Sequence, residues 1–384
     1  MKLLHTSDWH IGRQLHGVSL IEDQAHVLDQ IVDIAARESV DAVIIAGDIY
    51  DRAVPPAEAV KLLSHTLNRL CRDLGKQVIL IAGNHDSGDR LGFGSDLLGN
   101  AGLHIIGPLQ PDVRRITLKR NGMAVDVFGL PYAGPLTVRQ VLGTDVATHQ
   151  DAMSALLDKV HEARIEGRPT VVVGHCFVDG AAECESERPL SVGGADRVSA
   201  SLFEPFSYAA LGHLHGRQYQ GKEHIRYSGS ILKYSFSEVG HHKSVTLVAI
   251  APSGHVDTRY IELTAIRDLR IVEGTLEDIL AAGKTDTRAD DFILARISNT
   301  ESIIDVMGKL RDVYPNVLQM QNTGVREDGK LPGASREMLK KSHMNLFEDF
   351  FKEAHEEALS DEQRAYMVDL LEGLVEEREE EDVL

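Results

Sequence analysis

Five short motifs carry residues that bind hard cations: Asp8-x-His10, Gly47-Asp48-x-x-Asp51-Arg52, Gly83-Asn84-His85-Asp86, Gly174-His175 and Gly212-His213-x-His215. Together they offer carboxylates, one amide oxygen and several imidazoles. This mixed nitrogen and oxygen set suits Mn²⁺, Fe²⁺ or Zn²⁺ better than an all-oxygen Mg²⁺ site. Two divalent cations about 3.5–4 Å apart clamp a phosphate and lower the pKa of a shared water, so the chemistry expected is cleavage of a phosphate ester. Both ions must be held at once, and Asp48 is the expected bridging carboxylate. Asp8 and His10 are two residues apart in an extended segment and project to one side, as do His213 and His215. Asn84 supplies a carbonyl oxygen and His175 a further imidazole.

Taken singly, each motif also has a structural explanation, because a histidine is often buried against a backbone partner. What joins them is position. Each follows an apolar, β-rich run, and the strand-to-loop junctions of α/β sheets are where such folds place ligands. Over residues 1–262, short β-rich runs alternate with helical patterns: Lys2–His5, a helix over Leu20–Glu38, Asp41–Ala46, then a helix over Pro56–Leu74. Further runs follow at Val78–Ala82, His104–Ile106, Val125–Phe128, Thr170–Val173, Tyr208–Leu211 and Val245–Ile250. This alternation predicts a layered α/β sheet.

The metal-type motifs stop near Ile261–Asp268. Residues 265–323 then carry a small α+β pattern of strand, helix, strand, helix and strand, and 324–334 are expected to be a linker. Beyond it Leu346, Phe347, Phe350, Phe351, Ala354, Ala358 and Leu359 recur at helical spacing, followed by Met367, Leu370, Leu371, Leu374 and Val375. Ser360 with Gln363 fits a capping box between the two stripes. Two short amphipathic helices cannot bury much surface alone, so 335–384 is expected to dock on a partner or on the body.

The net charge of −19 argues weakly against nucleic acid, yet 335–384 holds 16 acidic and 6 basic residues and so −10 of that total. The remaining −9 leaves room for local basic patches such as Arg114, Arg115, Lys119 and Arg120. No apolar run approaches the ~18 residues of a membrane span, and the N-terminus turns polar after Leu4. Three cysteines, an odd number without C-x-x-C spacing, favour a reducing compartment, so the expected location is the cytoplasm.

The ordered series D-x-H, G-D-x-x-D, G-N-H-D, G-H, G-H-x-H resembles the calcineurin-like metallophosphoesterases over residues 1–262. That resemblance implies a layered β-sandwich flanked by helices and two ions, one held by Asp8, His10, Asp48 and His215, the other by Asp48, Asn84, His175 and His213. His85 then corresponds to the family's non-ligand catalytic imidazole. Within that family HTSDWHIG, AGDIYDRAVPP, IAGNHDS and RYSGSILKYSFSE resemble the SbcD branch, bacterial relatives of the Mre11 nucleases, over nearly the whole chain.

The likeness implies a Mn²⁺-preferring nuclease acting on DNA, a capping role for 265–323, and an SbcC-type coiled-coil ATPase gripped by 335–384. It also implies dimerisation through helices near Pro56–Leu74 and Asp89–Leu98. Archaeal and eukaryotic Mre11 proteins carry a second His where this chain has Asp51. Asp51 is therefore expected to hydrogen-bond His85 and hold its tautomer. Arg52 is expected either to touch a substrate phosphate or to be an exposed loop residue. A small-ester phosphatase or nucleotidase and a non-catalytic scaffold are the alternatives. Cys176 and Trp9 are expected to pack, His241 and His242 to be solvated, and Asp86 either to brace a ligand or to form a turn.

Overall fold

The computed structural model describes residues 1–187, 196–298, 305–323, and then 360, 363, 364 and 367. Met1–Asn322 form one compact unit and Thr323–Leu384 a second. The first unit is built on two six-stranded sheets. One runs Val256–Glu262, Ser244–Ile250, Lys2–Thr6, Ala42–Ile45, Gln77–Ile81 and Leu103–Ile106, with the last four strands parallel. The other runs Gln218–Gln220, Lys222–Tyr227, Tyr208–Gly212, Thr170–His175, Met123–Leu130 and Arg115–Arg120, parallel at its centre and antiparallel at both edges.

The near-continuous apolar runs of the central strands have a simple cause. Each strand buries both faces, so alternate residues serve two different cores. Leu3, Ile44, Ile79 and Ile81 face the opposite sheet, where they meet Val127, Val171, Val173 and Tyr208. Leu4, Val43, Ile45, Val78 and Leu80 face outward onto the helix Ile21–Arg37. That helix buries Val27, Leu28, Ile31, Val32 and Ala35, a stripe at helical spacing. Helices Pro135–Leu142 and His149–Ala163 cover the outer face of the second sheet. The result is a four-layer sandwich, helix on sheet on sheet on helix.

The runs anticipated in the sequence all fall on strands. Edge strands Arg115–Arg120 and Val256–Glu262, the penultimate strand Lys222–Tyr227 and the helices Pro135–Leu142 and His149–Ala163 were not anticipated. These polar outer strands are half exposed, which masks an apolar signal. The helix over Pro56–Leu74 is observed as Ala57–Asn68 continuing into a wider turn at Arg69–Asp73.

Strands Leu269–Gly274, Phe292–Ile297 and Val317–Asn322 form a separate parallel sheet with helices Leu276–Gly283 and Val306–Arg311. Its own core includes Ile279, Ile293, Ala295, Leu310 and Tyr314, whereas Leu269 and Phe292 join the core of the larger sandwich. Arg267 pairs with Asp23 and lies 4.6 Å over the Phe292 ring.

The linker 324–334 and the aromatic stripes of 335–384 lie outside the described residues. The capping box is present: Ser360 N–H donates to Gln363 Oε1 at 3.0 Å, and Gln363 N–H to Ser360 Oγ at 3.3 Å. Among the described residues no helix is long and apolar enough to cross a membrane.

Candidate metal centre

The parallel strands of both sheets end on one side of the sandwich, and the residues just beyond those ends supply the donors. Asp8 and His10 follow Lys2–Thr6, Asp48 follows Ala42–Ile45, and Asn84 and His85 follow Gln77–Ile81. From the second sheet, His175 closes its strand and His213 and His215 follow Tyr208–Gly212. The first two loops are zipped together: Asp8 N–H donates to Gly47 O at 3.1 Å, His10 N–H to Asp48 O at 3.0 Å, and Ile11 N–H to Ile49 O at 3.0 Å.

The turn that brings these donors inward is strained. Asp8, His10, Asp48 and His213 have φ of 52°, 44°, 49° and 103°, and they are half of the eight non-glycine residues with positive φ among those described. Such backbone persists only where its surroundings hold it, and it concentrates at functional sites. The glycines before Asp48, Asn84 and His213 have an equally local cause. A Cβ at Gly47 would lie 2.3 Å from His175 Nδ1, at Gly83 2.1 Å from Asp48 Oδ1, and at Gly212 1.9 Å from Ala46 O. Only glycine lets the loops approach this closely.

The seven expected ligands converge. Asp48 Oδ2 lies 3.6 Å from His10 Nε2 on one side and 3.5 Å from His175 Nε2 on the other. His10 Nε2 and His215 Nε2 are 3.1 Å apart. Asn84 Oδ1 lies 2.9 Å from His175 Nε2 and 3.3 Å from His213 Nδ1. Asp8 accepts the His213 N–H at 2.9 Å. Asp8, His10 and His215 bring one donor atom each within 4.8 Å of one another, as do Asp8, Asp48 and His175. His10, Asp51 and His85 form a third such group, the latter two partly exposed.

The electrostatics fit cations. Asp8 and Asp48 are buried, at 0% and 2% exposure, and have no ion pair with a lysine or arginine among the described residues. Burial pushes the Asp8 carboxyl up to about 8, with the nearby Asp48 charge adding to it against His175. Burial also opposes charge on Asp48, but His175 and His10 beside it hold it well below its ordinary value. Burial would lower His175, yet Asp48 and Asp8 carry it up to about 9, so this imidazole serves as the counter-charge. Burial takes His213 down to about 3 and His10 well below its usual range. Nitrogen lone pairs and carboxylates thus face each other across short distances, and His10 Nδ1 has no hydrogen-bond partner among the described residues. A pair of divalent ions fits this donor set.

His85 stands beside the cluster. Its N–H donates to Asp48 Oδ1 at 2.9 Å, its ring lies 4.7 Å from that of His10, and its Nδ1 donates to the Asp51 main-chain carbonyl at 2.8 Å. The expected carboxylate contact is therefore corrected: Asp51 orients His85 through its backbone. Its side chain is drawn away to Arg13, whose Nη1 donates to Asp51 Oδ1 at 3.1 Å. The same carboxylate oxygen lies 3.7 Å from His10 Nδ1. The Arg52 side chain is 61% exposed.

Asp86 braces the ligand loops. Its carboxylate accepts N–H bonds from Ile49 at 3.0 Å, Tyr50 at 2.9 Å and Gly83 at 2.9 Å. Trp9 is fully buried and donates to Thr6 Oγ1 at 3.0 Å, and burial pushes the Cys176 thiol up to about 12. His241 is not simply solvated, since its Nε2 packs 3.7 Å from Cys184 Sγ.

Several supporting residues went unassigned in the sequence. Gln24 donates to His10 O at 2.7 Å and accepts the Gly12 N–H at 3.0 Å. Tyr234 sets its ring 5.3 Å from His10 and 5.7 Å from His215. Ser186, Glu187, Glu238 and Lys243 surround His215. Ser230, Tyr234 and Glu238 lie in the segment RYSGSILKYSFSE, so position was legible there although role was not.

A helix-flanked two-sheet sandwich with this donor cluster at its strand ends has the architecture of a metallophosphoesterase. The model of the calcineurin-like phosphoesterase family matches residues 1–217, and that of the type 5 capsule protein repressor C-terminal domain matches 266–355. The chain is 32% identical to the D subunit of nuclease SbcCD from Staphylococcus saprophyticus, over 98% of this chain and 99% of that one. It is 33% identical to the same subunit from Staphylococcus epidermidis, over 94% and 95%. Among solved structures, a hypothetical protein from Thermus thermophilus aligns at 14% identity and a TM-score of 0.38, over 69% of this chain and 100% of that one. The chain therefore belongs to the calcineurin-like phosphoesterase family and, over nearly its full length, to that of the SbcCD nuclease D subunits.

Proposed function

We propose that this protein is a metal-dependent DNA exonuclease and endonuclease subunit that hydrolyses phosphodiester bonds with two Mn²⁺ ions in the cytoplasm. The observation that carries this reading is the convergence of six donor residues around Asp48, which lies 3.6 Å from His10 and 3.5 Å from His175. Asp8, His10, Asp48 and His215 would hold one ion, and Asp48, Asn84, His175 and His213 the other. When bound, two such ions clamp a phosphate and make a water acidic at neutral pH. The residues of the chain do the rest. With Nδ1–H committed to the Asp51 carbonyl, His85 carries a transferable proton at Nε2 only as the imidazolium. From there it protonates the departing sugar oxygen or offsets charge on the phosphoryl group.

The likeness to SbcCD nuclease D subunits over 98% of the chain supports DNA as substrate and an SbcC-type ATPase as partner in end and hairpin processing, repair and recombination. Residues 265–323 then serve as the capping domain and 335–384 as the helical segment that binds the ATPase. Exposure of Val60 at 45%, Phe93 at 86% and Leu97 at 82% supports a homodimer within a heterotetramer, formed through helices near Pro56–Leu74 and Asp89–Leu98.

The test is a nuclease assay with the purified partner, ATP and Mn²⁺. Cutting of duplex DNA ends is expected. Brisk hydrolysis of a small phosphoester with no cutting of DNA contradicts the reading and favours a nucleotidase. Removal of 335–384 is expected to release the ATPase and leave a folded body; a complex that survives truncation refutes the docking role.

A further inference from the structure

Glu238 is a buried carboxylate for which the reaction above has no use. It is 0% exposed and sits behind His215, on the Nδ1 side of the ring away from His10. Its Oε1 accepts from Ser186 Oγ and from Tyr234 N–H at 3.1 Å, and lies 3.3 Å from His215 Nδ1. Its Oε2 accepts from the Lys243 ammonium. Lys243 also donates to His215 O at 2.9 Å and Ser230 Oγ at 2.8 Å, while Glu187 Oε1 accepts the His215 N–H at 2.6 Å. One network therefore holds both the backbone and the ring of His215.

The hydrogen bonds fix the tautomer. Ser186 Oγ is 2.8 Å from His215 Nδ1, but its single hydrogen goes to Glu238. Towards His215 it can only accept. Glu238 already accepts at both oxygens, from the Tyr234 N–H at Oε1 and from the Lys243 ammonium at Oε2, so towards His215 it too accepts. Both neighbours of Nδ1 are acceptors, and Nδ1 must carry the proton. That leaves the Nε2 lone pair free, facing the cluster 3.1 Å from His10 Nε2.

We propose that Glu238 is the positioning residue for His215, holding its ring Nδ1-protonated with Nε2 presented to a divalent cation. This inference rests on the two-ion reading above and deepens it. Partners behind a ligating imidazole orient it and raise its basicity, and their loss weakens metal binding about 10- to 100-fold. Lys243 balances the buried charge, which is why Glu238 can be both buried and ionised.

The experiment uses the full chain, metal-free and labelled with ¹⁵N-histidine. Glu238→Gln preserves shape, but Lys243 still requires an acceptor. The amide oxygen therefore takes the Oε2 side, and the NH₂ group faces His215 Nδ1 and donates to it. Two-bond ¹⁵N–¹H correlations, with His215 assigned through His215→Asn, are expected to show the proton on Nδ1 in wild type and on Nε2 in Glu238→Gln. Mn²⁺ titration by equilibrium dialysis is expected to show one of two sites weakened about 10- to 100-fold and the other unchanged. An unchanged tautomer with unchanged affinity at both sites overturns the proposal and leaves the two-ion reading standing. A wild-type chain that binds no pair of ions overturns both. If Glu238→Gln does not fold, Glu238→Asp decides, because it keeps the negative charge opposite Lys243 while drawing the carboxylate back from His215 Nδ1. Weakening confined to one Mn²⁺ site supports the proposal, and wild-type affinity at both overturns it.

Discussion

His175 and His215 sit in the same donor cluster, yet the protein secures them in opposite ways. His175 is held by main chain: its Nδ1 donates to Ala46 O at 2.9 Å, and Gly47 and Gly212 leave just enough room beside its ring. His215 is held by side chains, through Ser186, Glu187, Glu238 and Lys243. The first arrangement depends on how closely two loops approach, the second on a buried pair of charges. One side of the centre should therefore break through steric crowding of the backbone and the other through loss of charge.

The largest effect belongs to His85, which neither brace secures. His85→Ala is expected to lower DNA cleavage by about 10²- to 10⁴-fold while both ions remain bound, checked by turnover and metal content on one preparation. Cleavage at the wild-type rate removes His85 from the chemistry. Next comes the backbone brace. A Cβ at Gly212 meets Ala46 O at 1.9 Å and His175 Nδ1 at 3.0 Å, so Gly212→Ala is expected to destabilise the fold by about 3 kcal/mol. A urea melt that superimposes on wild type would show that the loops have slack.

The smallest effect is expected at Asp51. Because its carbonyl and not its carboxylate meets His85, Asp51→Asn should keep that hydrogen bond and lower cleavage by less than about tenfold, chiefly through the lost charge beside Arg13. A loss as large as that of His85→Ala would restore the carboxylate as the working group.

The two braces also differ in how far a sequence reveals them. The His175 side is local: glycines stand directly before Asp48, Asn84, His175 and His213, and apolar runs precede them, so donors and strands could be found together. Asp86 was visible for the same reason, although its three backbone contacts were not. The His215 side is assembled from residues 28 and 23 positions away, Glu187 and Glu238, and no local pattern joins them. Polar edge strands such as Arg115–Arg120 escaped notice because half of their side chains face solvent. Asp51 was placed correctly as the partner of His85 but assigned the wrong atom, since residue spacing does not tell whether a loop residue offers carbonyl or carboxylate.

The central claim is a pair of ions with Asp48 between them. Its most direct test is the metal content of the full chain after Mn²⁺ loading and desalting, measured beside Asp48→Asn. About two ions per wild-type chain and a marked loss in the variant are expected. A wild-type chain without metal, or a variant that holds as much metal as wild type, would contradict the account.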